Sequence, residues 1–254
     1  MEFENIVLEK KGRTGILTIN HPPANAINVA TLEDINKALD EIETDGDIRV
    51  AIITGAGEKA FSAGFDITDA ARADLALHTG QGTWTRLDRF MKPTIAAING
   101  FALGGGCELA LACHFRIMSD NPKAVMGLTE LNLGIIPAWG GTVRLTNLLG
   151  RSKALDMILF SKKLTAGEAM ETGLVDKVSG DVMKDALELA EKIAERPPIA
   201  VRCVLKAMDG LAYNGLNEGL KCERDGVKTA GRSSDAQEGF AAFFERRKPV
   251  FKGE

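Results

Sequence analysis

The sequence predicts an α/β fold with a largely parallel sheet in its first part and a helical C-terminal part. Short apolar, β-branched runs alternate with segments of helical period over the first half of the chain. Two of those runs open directly into glycine-containing loops, at Gly55 and Gly100. Beyond about residue 140 the pattern is helical. Strands separated by helical segments require crossover connections and hence parallel pairing.

Taken in order, Ile6 to Glu9 and Ile16 to Ile19 predict a hairpin punctuated by Gly12 and Gly15 and ended by His21-Pro22-Pro23. Val29, Leu32, Ile35, Leu39 and Ile42 recur at helical spacing, with Asn28 or Thr31 available as the cap. Val50 to Ile53 is a continuous apolar run, as a strand buried on both faces requires. A second such strand is expected at Thr94 to Ile98 and a third at Phe115 to Met118. Thr165-Ala-Gly-Glu168 and Ser234-Asp-Ala-Gln237 have the spacing of capping boxes, and Gly173 marks the stop of the first of those helices. Val201, Val204, Leu205, Met208 and Leu211 form an apolar helix face directly after Pro197-Pro198.

The chain has 254 residues, 45% hydrophobic and 26% charged, long enough to bury a sizeable core. Its net charge of −4 provides no basic footprint for nucleic acid. The N-terminal MEFENIVLEK lacks a basic stretch followed by an apolar run, so no secretory leader is expected. The longest apolar stretch, Pro93 to Cys113, contains three consecutive glycines and Glu108, which suits a buried strand-loop-helix and not a membrane span. Cys107, Cys113, Cys203 and Cys222 show no CxxC and no Cys/His pairing, so they read as reduced buried thiols of a cytoplasmic protein, with no metal site.

Whole classes of chemistry are missing from the motifs. There is no GxxxxGK[ST] loop, no GxSxG elbow and no HExxH, and the three histidines lie far apart. Proton transfer therefore falls to carboxylates. The informative segments are Lys59-Ala-Phe-Ser-Ala-Gly-Phe-Asp66 and Asn99-Gly-Phe-Ala-Leu-Gly-Gly-Gly-Cys-Glu108, each just past the carboxyl end of a buried strand. One backbone N–H from each loop would make a two-point oxyanion hole, although three glycines equally suit close packing of backbone on backbone. Glu108 falls in the first turn of an apolar helix, where a carboxylate is costly to bury unless paired or useful. Arg116 is its candidate structural partner. Glu130, in Gly127-Leu-Thr-Glu130-Leu-Asn-Leu-Gly-Ile-Ile-Pro137, is a second acid in apolar company and taken alone reads as a cap or a surface residue.

These segments together carry a resemblance. Asn20 to Asn28, the AFSAGFDI loop at 60–67, KPTIAAINGFALGGGCELALAC at 92–113, GLTELNLGIIPAWGGTVRL at 127–145 and FFERRKPVFKG at 243–253 resemble the crotonase superfamily, the enoyl-CoA hydratases and isomerases. The resemblance implies a crotonase-like ββα spiral core with the CoA and acyl site over residues 1–195. It implies a helical trimerisation region over 196–254, in a homotrimer or a homohexamer built from two trimers. It places the oxyanion hole at the N–H groups of Phe65 and Gly105. Glu108 becomes the base on water and Glu130 the acid toward C2 of a 2-trans-enoyl-CoA, a coupled pair whose division of labour is partly conventional. Both glutamates favour hydration over isomerisation, since shifting a double bond needs only one base.

Ala63, Asp66, Ile67 and Thr68 are assigned to the pantetheine and adenine path by the same resemblance, and Phe243 and Arg246 to nucleotide contacts, often on a neighbouring subunit. Acyl-CoA is the expected partner, with no nucleic acid, no membrane and no cofactor, and fatty acid metabolism the expected setting. Several residues depart from the common pattern. Phe65 replaces an alanine, Ala138-Trp139 replaces Gly-Ala or Gly-Phe, and Leu128-Thr129 replaces Gln-Pro. His114 stands where an aspartate is usual, and Glu130 lies two residues further from Glu108, which Asp120-Asn121-Pro122 could absorb as a loop insertion. Trp139 is expected to shorten the acyl pocket and favour short chains. The competing readings are a Δ3-Δ2-enoyl-CoA isomerase, a hydratase of a branched or dienoyl thioester, and a non-catalytic RNA-binding relative, the last disfavoured by charge and by few aromatic residues.

Overall fold

The computed structural model describes residues 3–254. The chain opens with β1 (Ile6–Lys11) and β2 (Thr14–Ile19), an antiparallel hairpin in which Ile6 faces Ile19. Then α1 (Val29–Thr44) crosses to β3 (Val50–Gly55). The helix starts at Asn28, whose side chain accepts from the Thr31 N–H; of the two candidate caps, Asn28 is the one used.

From β3 onward a strand–strand–helix unit repeats. β3 leads into β4 (Ala60–Ser62), a 3-10 helix over Ile67–Arg72 and α2 (Ala73–Asp88). Then β5 (Thr94–Ile98) leads into β6 (Phe101–Leu103) and α3 (Gly105–Ala112), and β7 (Phe115–Ser119) into β8 (Val125–Gly127), a 3-10 helix over Glu130–Leu133 and α4 (Gly141–Leu149). The remainder is α5 (Arg151–Leu159), β9 (Leu164–Thr165), α6 (Ala166–Thr172), β10 (Lys177–Ser179), α7 (Val182–Ala194), α8 (Pro198–Asn214), α9 (Leu216–Gly231) and α10 (Ser234–Glu245).

Two sheets result. The larger has the order β1-β2-β3-β5-β7-β10 and is parallel from β2 onward. Alternate residues of its inner strands face opposite layers, as strand geometry dictates. Ile52, Ile95 and Ala97 pack under α7 with Ala186 and Ala190, while Ile53, Ala96 and Ile98 face the main core with α1 and α3. The smaller sheet, β4-β6-β8-β9, collects the second strand of each repeating unit. The segments read as loops at 59–66 and 99–108 therefore each begin with a three-residue strand. So short a run carries no measurable period and forms because a neighbour pairs with it.

The capping box at Thr165 and Glu168 is present, and Gly173 ends α6 in the left-handed region with φ 84°. The second box is not. Helix α10 is capped by Ser233, which accepts from the Ala236 N–H, while the Ser234 hydroxyl donates to the Glu254 carbonyl. Two further strands, β9 and β10, lie beyond residue 140, and β10 joins the edge of the larger sheet beside β7. Helices α8 and α9 pack against each other as a hairpin, leaving Val204, Met208 and Leu211 of the apolar face exposed. Among the described residues no helix is long and apolar enough to cross a membrane.

Candidate active site

The carboxyl ends of β4 and β6 meet at one point. Gly104 adopts φ 53° and ψ −125°, which suits glycine, and so turns the chain from β6 straight into α3. Gly105 is the first residue of that helix, so its N–H has no partner within the helix. Gly64 (φ 87°) brings the other loop against the same spot: a Cβ there would lie 2.6 Å from the Gly105 nitrogen. The bridge between Ile27 and Phe65 uses the Gly64 carbonyl and the Asp66 N–H, leaving the Phe65 N–H outside it. The N–H groups of Phe65 and Gly105 thus belong to adjoining backbones.

A cavity of about 470 Å³ opens there. Ala63, Phe65, Ile67, Gly105, Glu108, Glu130 and Trp139 all line it, together with Ala76 and Leu77 of α2 and Ile135 and Ile136 after the second 3-10 helix. Glu108 is only 2% exposed. Its Oε1 accepts the backbone N–H groups of Trp139 and Gly141, each at 2.8 Å. Burial pushes its carboxyl up from 4.5 to about 7; nearby Glu130 adds to the rise, while the two N–H donors and the Arg144 charge oppose it. The structural alternative for Glu108 does not hold, because Arg116 bonds to the Leu174 and Cys113 carbonyls and to Asp176 instead.

Glu130 begins the 3-10 helix after β8, the strand paired with β6, and so stands opposite the start of α3. A Cβ on Gly104 would sit 3.3 Å from Glu130 Oε1. Its Oε2 is buried without a hydrogen-bond partner among the described residues. Burial also raises this carboxyl above its ordinary value, against the opposing backbone N–H groups of Glu130 and Thr129. Two carboxyl groups with raised affinity for protons therefore share one largely apolar cavity, an arrangement suited to moving protons near neutral pH. The turn between β7 and β8 holds Asp120-Asn121-Pro122, so residues added there leave both strands intact.

A model of the enoyl-CoA hydratase/isomerase family matches residues 9–254. The chain belongs to this family. It is 38% identical over 256 residues to the short-chain-enoyl-CoA hydratase of Clostridium acetobutylicum, covering 98% of this chain and 97% of that one. It is 39% identical to the 2,3-dehydroadipyl-CoA hydratase of Escherichia coli, with 99% and 100% covered. The crystal structure of an enoyl-CoA hydratase from Bacillus anthracis superposes with a TM-score of 0.94 at 39% identity, covering 99% of this chain and all of that one. The fold is crotonase-like, and the protein is an enzyme of the enoyl-CoA hydratase/isomerase family.

Within this family member the remaining sequence-derived residues fall in two groups. Trp139 is nearly buried at 4% exposure; its indole N–H donates to the Ala76 carbonyl at 3.0 Å, and its ring makes edge contacts with Phe65 and Trp84. It both packs the turn and walls the cavity. Asp66 and Thr68 do not line the cavity, since Asp66 turns back to cap the 3-10 helix through the Thr68 N–H and hydroxyl. Phe243 and Arg246, at the exposed end of α10, do not line it within this chain either. Among the described residues no three His, Cys, Asp or Glu side chains group as a metal site would need.

Sequence reasoning missed α2 altogether, and with it Ala76 and Leu77 in the cavity wall. The signal was present in Ala76, Gly80, Thr83, Trp84 and Leu87, all on one helical face. It also left Gly141 and Arg144 without roles, although both lie in the segment that carries the resemblance.

Proposed function

We propose that the protein hydrates a short-chain 2-trans-enoyl-CoA reversibly, with Glu108 as base, Glu130 as acid, and the Phe65 and Gly105 N–H groups holding the thioester oxygen. The observation that carries this is the pair of glutamates lining one cavity, Glu108 gripped through Oε1 and Glu130 with an unpartnered Oε2. In the forward direction ionised Glu108 takes a proton from water as the water oxygen bonds to C3. The C2=C3 electrons move toward the thioester oxygen, where the two N–H groups and the start of α3 favour negative charge. Protonated Glu130 then delivers its proton to C2. A proton returns from Glu108 to Glu130 through solvent before the next turnover. Isomerisation would use one of these groups; two fit the addition of water.

The preference for short chains rests on Trp139, which lines the cavity and whose ring makes edge contacts with Phe65 and Trp84. In the same reading Ala63 and Ile67, at the cavity wall, lead toward pantetheine, with Asp66, Thr68, Phe243 and Arg246 nearer the nucleotide. Residues 1–195 act as the catalytic core and 196–254 as the region that builds a trimer or hexamer. The exposed Met208, Leu211, Phe240 and Phe243 suit such contacts. Rates of hydration measured from crotonyl-CoA to dodecenoyl-CoA test the proposal. They should fall with chain length; a flat or rising profile contradicts the role given to Trp139, and conversion of 3-enoyl-CoA alone contradicts hydration.

A further inference from the structure

Arg144, in α4, is half-buried, with its side chain 11% exposed, and its charge acts on Glu108. Its Nε meets Asp88 Oδ2 at 2.9 Å, its Nη1 donates to the Trp139 carbonyl at 2.9 Å, and its Nη2 reaches Thr85 Oγ1 at 3.5 Å. Asp88 ends α2 and also accepts from the hydroxyl of Tyr213 on α8. Trp139 is thereby gripped at both ends of its backbone, its carbonyl on Arg144 and its N–H on Glu108.

The turn between these grips has no slack. Gly140 has φ 103°, which lets the N–H groups of Trp139 and Gly141 converge on one oxygen. A side chain on Gly140 would run into the Arg144 guanidinium, and a Cβ on Gly141 would lie 2.7 Å from Glu108 Cγ. The turn is sandwiched between arginine and glutamate. A guanidinium is a rigid planar fork that can hold a carboxylate and a carbonyl at a fixed separation, which an ammonium on a flexible stem does not.

We propose that Arg144 is a positioning residue for Glu108: anchored by Asp88 and Tyr213, it fixes the turn whose two N–H groups aim the carboxylate. The inference deepens the reading of Glu108 as the group that acts on water and rests on it. It also gives the C-terminal helices a task within their own chain, since Tyr213 on α8 bonds to Asp88, the carboxylate that holds Arg144. The charged and titratable neighbours are few. Glu108 faces Glu130, Arg144 and the Cys107 thiol; Asp88 faces Arg144, Tyr213, His114 and the Cys113 thiol; Arg116 lies near His114 and both thiols, and Arg89 sits over the Tyr213 ring.

The test is crotonyl-CoA hydration by the full-length protein across pH, for wild type, Arg144→Lys, Arg144→Met, Asp88→Asn and Tyr213→Phe, with thermal unfolding of each. Arg144→Lys keeps the charge and loses the fork. Its kcat should fall by about tenfold to a hundredfold, the scale of a displacement near 1 Å, with KM little changed. Arg144→Met should show the same fall, and the acid limb of its kcat/KM profile should move to higher pH, because a charge favouring ionised Glu108 is gone. Wild-type kcat in Arg144→Lys, or a loss confined to KM, overturns the proposal. If the arginine variants do not fold, Asp88→Asn and Tyr213→Phe decide: reduced kcat at unchanged KM supports it, and wild-type rates in both overturn it. An inactive wild type would contradict the proposed hydration of short-chain enoyl-CoA on which this rests, whereas an active wild type beside an equally active Arg144→Lys contradicts the positioning role alone.

Discussion

Trp139 touches the chemistry of Glu108 in two ways, giving its backbone N–H to Glu108 Oε1 at 2.8 Å and placing its ring in the wall of the same cavity. In the proposed hydration one residue thus bears on both the aim of Glu108 and the depth of the pocket.

Replacing that ring separates the two functions. Trp139→Ala keeps the backbone N–H and removes a buried indole, so stability should fall by about 3–5 kcal/mol. The ratio of kcat/KM for octenoyl-CoA over crotonyl-CoA should rise. Trp139→Phe should keep much of the edge packing on Phe65 and Trp84 while losing the bond to Ala76, and its ratio should fall between the two. Thermal unfolding and paired kinetics read both effects; an unchanged ratio in Trp139→Ala would remove Trp139 as the depth-setting residue.

Crowding at the turn should be equally specific. In Gly141→Ala the new methyl would lie 2.7 Å from Glu108 Cγ and 2.9 Å from Leu128 Cδ2, so Glu108 must move. A fall in kcat of about a hundredfold is expected. Gly167→Ala, in α6 where an added Cβ meets nothing within 4 Å, serves as the control. It should leave the rate unchanged and raise stability by up to about 1 kcal/mol.

Burial of Glu108 has a consequence for stability against pH. Its folded carboxyl lies at about 7 against 4.5 unperturbed, so the fold favours the protonated form. That contribution is complete below about 4.5 and is lost as the pH rises through about 7, a swing of about 3 kcal/mol. The Glu108→Gln variant lacks it. Denaturant unfolding should therefore show Glu108→Gln gaining on wild type between mildly acid and mildly alkaline pH. A constant difference over that range would contradict the raised carboxyl.

The cap of α10 gives a further check. Ser233 accepts the Ala236 N–H, whereas Ser234 bonds only to the Glu254 carbonyl. Ser233→Ala should cost about 1 kcal/mol and Ser234→Ala clearly less. Equal losses in denaturant unfolding would return the cap to Ser234.

Much of this fold is legible in the sequence. The inner strands β3 and β5 are continuous apolar runs because they are covered on both sides, by α7 and by the main core. Glu108 was conspicuous because a carboxylate in an apolar helix start demands a reason. What was not readable depends on tertiary contact. Helix α2 carries Trp84 and Leu87 on its inward face, but that face is interrupted by Gly80 and Thr83, and Gly80 is required because a side chain there would strike the Trp139 ring. The strands β4, β6 and β8 are three residues each and exist through pairing. Arg116 is the arginine closest to Glu108 in sequence, yet only Arg144 grips its turn, while Arg116 serves Asp176 and two carbonyls. Nothing in the spacing of either residue distinguishes those fates.

The most direct test of the central claim is the loss of conjugated-enoyl absorbance of crotonyl-CoA with purified wild type, Glu108→Gln and Glu130→Gln. General acid–base catalysis is worth about 10²–10⁴ in rate. Wild type should hydrate crotonyl-CoA rapidly to 3-hydroxybutyryl-CoA, and each variant should lose at least that order of rate while remaining folded. Hydration persisting near the wild-type rate in either folded variant would contradict a two-glutamate mechanism.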